Sequence, residues 1–475
     1  MISFQNRKNR YILYTGLLVF FLLHLYRLNA PPNGYHQWRE SDTAAITLNY
    51  FQEDADFFHP RCNQRGGGEG ITGSELPIYN YSAALLYFAF GPHHVIPRLL
   101  STVGGVLAVL FFFLAVRRLS GEDVAVWSAL SLSFAPLFFF YSYKIMPDVW
   151  MLMFLMLALY FFVRYVQEGG AGLLVGSAVA MILSASLKPL GLSLYLPMLL
   201  LLLKSDRKRA ASLRVMSVYV VITFGLTLAW YLYARHLNTT YGTPAFYMGH
   251  LFSTFYEPLA TAWFYKKLLL QWPVELWIGW TMAPVFIYGC YRAVKEKSAR
   301  LYLVWIVASY LTFVLVSAHS GSHDYYTMII VPPLAVLTGM GFNGLFKASG
   351  WRKQLAIILI IIAPVAACVR VAPRFGPQDQ YEAIRGAVDN VIPRGDLVMV
   401  EEESMAIRLY QLNRHGWPVR GGVTLVGVRG MIDQGGEWLV LDRPLSEYDP
   451  QLTERFGDVS ARIGPMFAYH LTESD

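Results

Sequence analysis

Two carboxylates open the chemistry of this chain. Glu40 and Asp42 stand two residues apart in YHQWRESDTAAITLNYF, near the head of a polar stretch over residues 29–93 that follows the first apolar run. A carboxylate so placed can take a proton from an attacking hydroxyl or amine, hold a metal, or cap a helix beginning near Thr43. A third carboxylate, Asp148, sits in YKIMPDVWM behind Lys144 and Pro147, where capping a helix is the plain structural reading. Lys188 in SLKPLG ends an apolar run, and a lysine there either works or reaches outward to the interface. SAHSGSHDYYTM brings His319, His323, Asp324, Tyr325 and Tyr326 close together. Such a group can hold a metal or a phosphate, or simply start a helix. His59 and Arg61 in FFHPRC and Glu75 in TGSELPIY complete the polar set.

The elements that must position these residues are membrane helices. The chain has 475 residues, 55% hydrophobic and 15% charged, against about 25% charged in soluble domains. Uncharged apolar runs of about 18 residues read as spans. There are eleven such runs, at 11–28, 94–116, 123–143, 147–166, 171–187, 189–203, 215–235, 272–291, 301–318, 326–346 and 354–372. Lys and Arg gather in cytoplasmic loops, and with eleven spans every basic loop falls on one side: Arg7–Arg10, Arg117–Arg118, Arg164, Lys204–Arg214, Lys295–Arg300 and Lys347–Lys353. The N-terminus is then cytoplasmic and the C-terminus outside. Basic residues precede the first apolar run, but no small-residue cleavage site follows it, so that helix reads as retained.

The outer segments carry the chemistry. TAAITLNYF and LPIYNYSAALLYFAFG are too short to span and suit helices lying in the interface. Between them, HPRCNQRGGGEGITGSE reads as a mobile connector. The loop over 236–271 is similarly aromatic, and its Asn238-Thr239-Thr240 matches a glycosylation acceptor pattern. From about residue 378 the pattern changes to a small α/β domain, with DLVMVEEE and EWLVLDRP as strands and SMAIRLYQLNRHG as an amphipathic helix. Residues 374–475 hold 10 Lys and Arg against 16 Asp and Glu, a net of −6, which leaves +13 of the total +7 on residues 1–373. The basic excess is therefore topological and excludes a nucleic-acid reading. Three scattered cysteines exclude a disulfide framework or a cysteine metal cluster. No carboxylate lies midway along an apolar run, whereas ion-coupled transporters place theirs there. An enzyme acting on a lipid-linked substrate at the membrane surface fits better.

In order and spacing, WRESDTAAITLNYF, FFHPRC, SELPIYNYSAALLYFAFG, PRLLS, MPDVWM, SLKPLG and HDYYTMIIVPPLA resemble the bacterial integral-membrane glycosyltransferases of GT-C architecture. The group is that of the protein O-mannosyltransferases and the lipid A aminoarabinose transferase. The resemblance covers roughly residues 10–345. It implies a GT-C transmembrane catalytic domain over 1–373, with its first extracytoplasmic loop at 29–93 and an α/β extracytoplasmic domain over 374–475. It places the protein in a bacterial inner membrane. The implied donor is a sugar on a polyprenyl phosphate and the acceptor a lipid, glycan or protein. In that scheme Asp42 activates the acceptor, Asp148 is the second acidic residue and Glu40 supports or holds metal; many members have adjacent acidic residues where Ser41 here intervenes. Lys188 binds the donor phosphate, with Arg61, Arg39 and His323 as further cations. Glu75, His59, Asp324 and Tyr325 contact substrate, Glu75 standing where some relatives have lysine. No cofactor is fixed by the resemblance. A divalent metal, magnesium or manganese, held by Glu40, Asp42 and His323, would neutralise the same phosphate. The competing reading is a polyprenyl-lipid or glycan flippase, which would show repeated halves with broken helices at matching positions; Pro136 and Pro197 do not match in that way.

Overall fold

The computed structural model describes residues 4–206, 208–243, 257–296, 299–376, 379–402, 407–420, 422–448, 450–457 and 459–471. They form two compact units, one of Met1–Leu28, Arg98–Trp230 and Met248–Pro373, the other of Asn29–Pro97, Tyr231–Tyr247 and Arg374–Asp475.

The first unit is helical. Among the described residues, helices long and apolar enough to cross a membrane are Val95–Ser120, Asp148–Glu168, Arg209–Tyr241, Asp324–Lys347 and Trp351–Arg374, with shorter apolar helices at Ala171–Leu187, Pro189–Leu203 and Ala299–Leu315. The chain is a multi-pass membrane protein. Several of the eleven apolar runs are not continuous helices. The run 123–143 splits into Glu122–Ser133 and Pro136–Tyr141, because Pro136 lacks an N–H and its ring clashes with the preceding turn. The run 272–291 breaks at Gly279, which adopts a φ of +86°, before Ala283–Lys295 begins. The run 189–203 starts as a 3-10 turn, Pro189–Leu194, and only then becomes α-helical.

Outward-facing apolar residues such as Val221, Phe224 and Leu226 on one helix and Ile358, Ile361 and Val365 on another are exposed. In water they would be association patches; on a membrane protein they are the lipid face. Inside, small residues let backbones approach. A Cβ on Gly289 would collide with the carbonyl oxygen of Leu337, and one on Gly341 with that of Val285. These two contacts seat Ala283–Lys295 on the Val331–Lys347 helix.

The second unit joins two helices to an α/β layer. Gln37–Gln52 and Ile78–Phe90 pack through Ile46, Tyr50 and Ala84, with Tyr81 against them. Asn80 Nδ2 donates to the Thr43 carbonyl at 2.8 Å. The sheet has five strands: β1 (Leu397–Glu401), β2 (Gly416–Val419), β3 (Gly436–Leu441), β4 (Ala461–Ile463) and β5 (Met466–His470). Their order is β2-β1-β3-β5-β4. β1 runs parallel to β2 and β3, while β5 is antiparallel to both β3 and β4. Side chains alternate between two cores, Val398, Val400, Trp438 and Val440 on one face and Met399, Leu439, Leu441 and Tyr469 on the other, as the pleat requires.

Both expected strands and the expected helix (Ile407–Leu412) are present; residues 403–406 lie outside the described residues, as do 244–256 of the aromatic loop. The glycine-rich connector is not loose. It forms bridges Arg61↔Ile71 and Gln64↔Gly416, and Gly66 and Gly70, with φ of +54° and +73°, make the turns that bring it back. Asn238 spends its amide on the Gly73 backbone, accepting from its N–H and donating to its carbonyl, each at 2.7 Å.

Candidate active site

The helix that carries the first carboxylates begins at Gln37, not near Thr43. Glu40 and Asp42 therefore lie within its first turns, and neither is its cap. Both are buried. Glu40 Oε2 accepts the Asn33 N–H at 3.3 Å. Arg39 Nη1 donates to Asp42 Oδ2 at 3.1 Å, and Nη2 of the same guanidinium pairs with Glu75. A buried carboxylate and a partly buried one thus share one cation. Burial pushes the Asp42 carboxyl up to about 7, Arg39 pulling against that and Glu75 adding to it. Glu75 and Arg39, expected as separate substrate and phosphate contacts, are here partners in setting the state of Asp42.

Arg61 and His59 lie in the same unit but are engaged elsewhere. Arg61 reaches Asp54 at 3.3 Å and Glu53 at 4.0 Å; His59 Nδ1 meets Asp56 at 2.7 Å. Arg61 lines an open cavity of about 430 Å³ with Glu53, Asp54, Arg65, Gly68 and Glu69. Burial would raise the Glu53 carboxyl, but hydrogen bonds from His415 and Arg65 outweigh it and bring it down to about 2.

The first unit holds a second cluster. Asp148 is the first residue of the Asp148–Glu168 helix, whose cap position belongs to Pro147 and carries no side-chain hydrogen bond. Its capping role is not taken up: Asp148 is fully buried and pairs with the Lys188 ammonium. Lys188 ends the Ala171–Leu187 helix in an extended conformation, as expected of a residue before proline. Ser184 Oγ, one turn back, donates to the Met151 carbonyl at 2.9 Å and locks the two helices together. The ammonium also lies 4.0 Å from the Tyr325 ring centroid and 4.6 Å from that of Tyr326. His323 stacks on Tyr325 with centroids 5.4 Å apart. Asp324 accepts a hydrogen bond from the Tyr141 hydroxyl. Asp148 Oδ2 has no hydrogen-bond partner among the described residues, a buried acceptor directed at no protein donor.

With this geometry in view, comparison with solved structures decides the architecture. ArnT from Cupriavidus metallidurans bound to undecaprenyl phosphate superposes with a TM-score of 0.68 at 15% identity, over 98% of this chain and 98% of that one. The archaeal oligosaccharyltransferase AglB from Archaeoglobus fulgidus, in complex with an inhibitory peptide and a dolichol-phosphate, gives 0.63 at 12% identity, over 96% of this chain and 70% of that one. The chain has the GT-C fold. Residues 74–233, 160 of the chain's 475, match the model of the dolichyl-phosphate-mannose-protein mannosyltransferase family. No curated protein matches the chain.

Three residues are candidates for holding a divalent metal. Glu40 and Asp42 belong to one unit and His323 to the other, and among the described residues no group of three or more His, Cys, Asp or Glu stands at metal-binding spacing. Two residues escaped the sequence reading. Tyr141, hidden in the aromatic run FFFYSYK, is the donor to Asp324. Lys267 sits 3.8 Å from the Trp263 ring centroid and 3.5 Å from the Gly321 carbonyl. A lysine between two tryptophans in AWFYKKLLLQW was the available signal for it.

Proposed function

We propose that this chain is a membrane glycosyltransferase that moves a sugar from a polyprenyl-phosphate-linked donor to an acceptor on the extracytoplasmic face, with inversion and with Asp42 as general base. The fold shared with ArnT along nearly the whole chain supports the reaction class, and that relative was seen with undecaprenyl phosphate bound. The observation that carries the assignment of the base is the state of Asp42: buried, held in one orientation by Arg39, and raised to about 7. A base is most effective when its proton affinity lies near the working pH.

In this scheme the acceptor oxygen or nitrogen attacks the anomeric carbon. The bond from that carbon to the phosphate oxygen breaks, its electron pair stays on the phosphate, and the acceptor proton passes to Asp42. A single displacement inverts the anomeric centre. The leaving phosphate gathers negative charge and needs a fixed cation; Lys188 is assigned that task. Its pairing with Asp148 supplies a counter-charge in an apolar setting and fixes where the ammonium stands. Asp148, with Oδ2 open, is assigned a hydrogen bond from a substrate hydroxyl.

The test is transfer by the purified protein in nanodiscs, supplied with radiolabelled polyprenyl-phosphate sugars and host membranes as the acceptor source. Wild type should release polyprenyl phosphate and label an acceptor. Asp42→Asn and Asp148→Asn should each abolish transfer while remaining monodisperse. Full activity in both variants, or the absence of transfer from every polyprenyl-phosphate sugar, refutes the proposal.

A further inference from the structure

The α/β domain contributes no residue to the chemistry proposed above, yet it grips the loop from which Asp42 comes. Asn63 is the joint. Its carbonyl accepts the Gly416 N–H of edge strand β2 at 3.2 Å. Its side-chain Nδ2 donates to the Leu409 carbonyl at 3.4 Å, and its Oδ1 accepts from Asn49 Nδ2 at 2.8 Å. Asn49 also donates to the Arg61 carbonyl at 2.8 Å. It lies on the Gln37–Gln52 helix, about two turns beyond Asp42 and on the same side. Both asparagines are buried.

A second set of contacts closes the same joint. The Gly416 carbonyl accepts N–H groups from Arg65 at 3.2 Å and Gly66 at 3.0 Å. Arg65 forks onto both oxygens of Glu53 at 2.9 Å each, and Glu53 is the residue that ends the Asp42 helix. His415 Nε2 reaches the same carboxylate at 3.2 Å. Gly416 is required at its place, since its φ is +150° and a Cβ there would strike the Val398 carbonyl of β1. At the front of the helix, the Tyr35 N–H donates to the Arg374 carbonyl at 2.8 Å. The edge of a sheet, ordinarily a row of unpaired backbone groups, is here spent on the catalytic loop.

We infer that the C-terminal α/β domain is a positioning device for the Asp42 helix, acting from β2 and Leu409 through Asn63 and Asn49. The two amides are the connection whose loss the helix would feel. Buried amide groups left without partners are costly, so removing either asparagine side chain loosens the helix rather than shifting a surface contact.

Hydrogen–deuterium exchange on the full-length protein in nanodiscs tests this. In Asn63→Ala and Asn49→Ala, amides of residues 37–52 should exchange about tenfold faster or more, while β1 and β3 keep wild-type protection. Faster exchange confined to residues 61–66, with the helix unchanged, overturns the inference. If Asn63→Ala also loosens β1 and β3, the surface-reaching variants Arg65→Ala and His415→Ala carry the test by the same readout and the same criterion. A second readout rests on the proposed glycosyl transfer: kcat should fall with the donor KM unchanged, since the donor's phosphate ligand is not disturbed. An equal loss through KM overturns the positioning role. Should the protein transfer no sugar at all, the exchange result still stands or falls alone.

Discussion

Asp42→Asn should remove activity and at the same time stabilise the protein above neutral pH. The carboxyl lies at about 7 in the fold against an ordinary value of 3.8, with burial as the leading cause. A raised carboxyl means that the folded state holds its proton where the unfolded chain has released it. Folding stability is therefore fully present below about pH 3.8, declines as pH rises toward 7, and is flat above that. The span from 3.8 to about 7 corresponds to roughly 4 kcal/mol at most. Asparagine has no proton to lose, and Arg39 retains Glu75 as its counter-charge. The difference in melting temperature between Asp42→Asn and wild type, measured in detergent from pH 4 to pH 9, should be small at the acid end. It should grow in favour of the variant by several degrees up to about pH 7 and then level off. A difference that is flat with pH, or that favours wild type as pH rises, refutes the claim that Asp42 is held against its preferred charge.

Three further outcomes follow from other contacts. Arg39→Met withdraws the cation that favours the ionised Asp42, so the acid limb of the kcat profile should move alkaline by about one pH unit or more; an unmoved limb separates Arg39 from the base. Lys188→Met strands a fully buried Asp148 carboxylate and should cost roughly 3–5 kcal/mol, whereas Asp148→Asn combined with Lys188→Met should cost clearly less than the sum of the single changes; strict additivity in thermal unfolding would show that the two do not interact. Gly289→Ala places a methyl group against the Leu337 carbonyl and should lower thermal stability by roughly 1–3 kcal/mol, with no change if that helix pair is loosely packed.

Residue types and their order along the chain were legible because membrane helices announce themselves by composition, and because polar groups near helix ends stand out against apolar runs. Two of the five strands of the α/β layer, β1 and β3, were readable for the same reason: VMV and WLVL alternate or run apolar between turn residues. What could not be read is which polar group meets which. The distance in sequence from Arg39 to Glu75 gives no hint that one guanidinium spans them. Asp148 looked like a cap because it follows Pro147, and only the fold shows that Lys188, forty positions on, takes its charge instead. The glycine-rich connector misled in the opposite direction. Composition predicts mobility, but glycine also allows the close approach to a neighbouring strand, and Gly66 against the Trp417 ring uses it in that way.

The two acidic residues differ in one respect that bears on their roles. Asp148 pairs with the Lys188 ammonium, with aromatic rings beside that cation. Asp42 shares its guanidinium with Glu75, so two negative charges face one positive charge in a buried place. A carboxylate with half a counter-ion keeps a high proton affinity while remaining oriented. That combination suits the proton-accepting task proposed for Asp42. Glu75→Gln then has a definite sign. It returns Arg39 wholly to Asp42, lowers the carboxyl from about 7, and should extend activity to lower pH while reducing the maximal rate. A variant whose acid limb stays in place, or moves alkaline, would show that Glu75 does not govern the charge on Asp42.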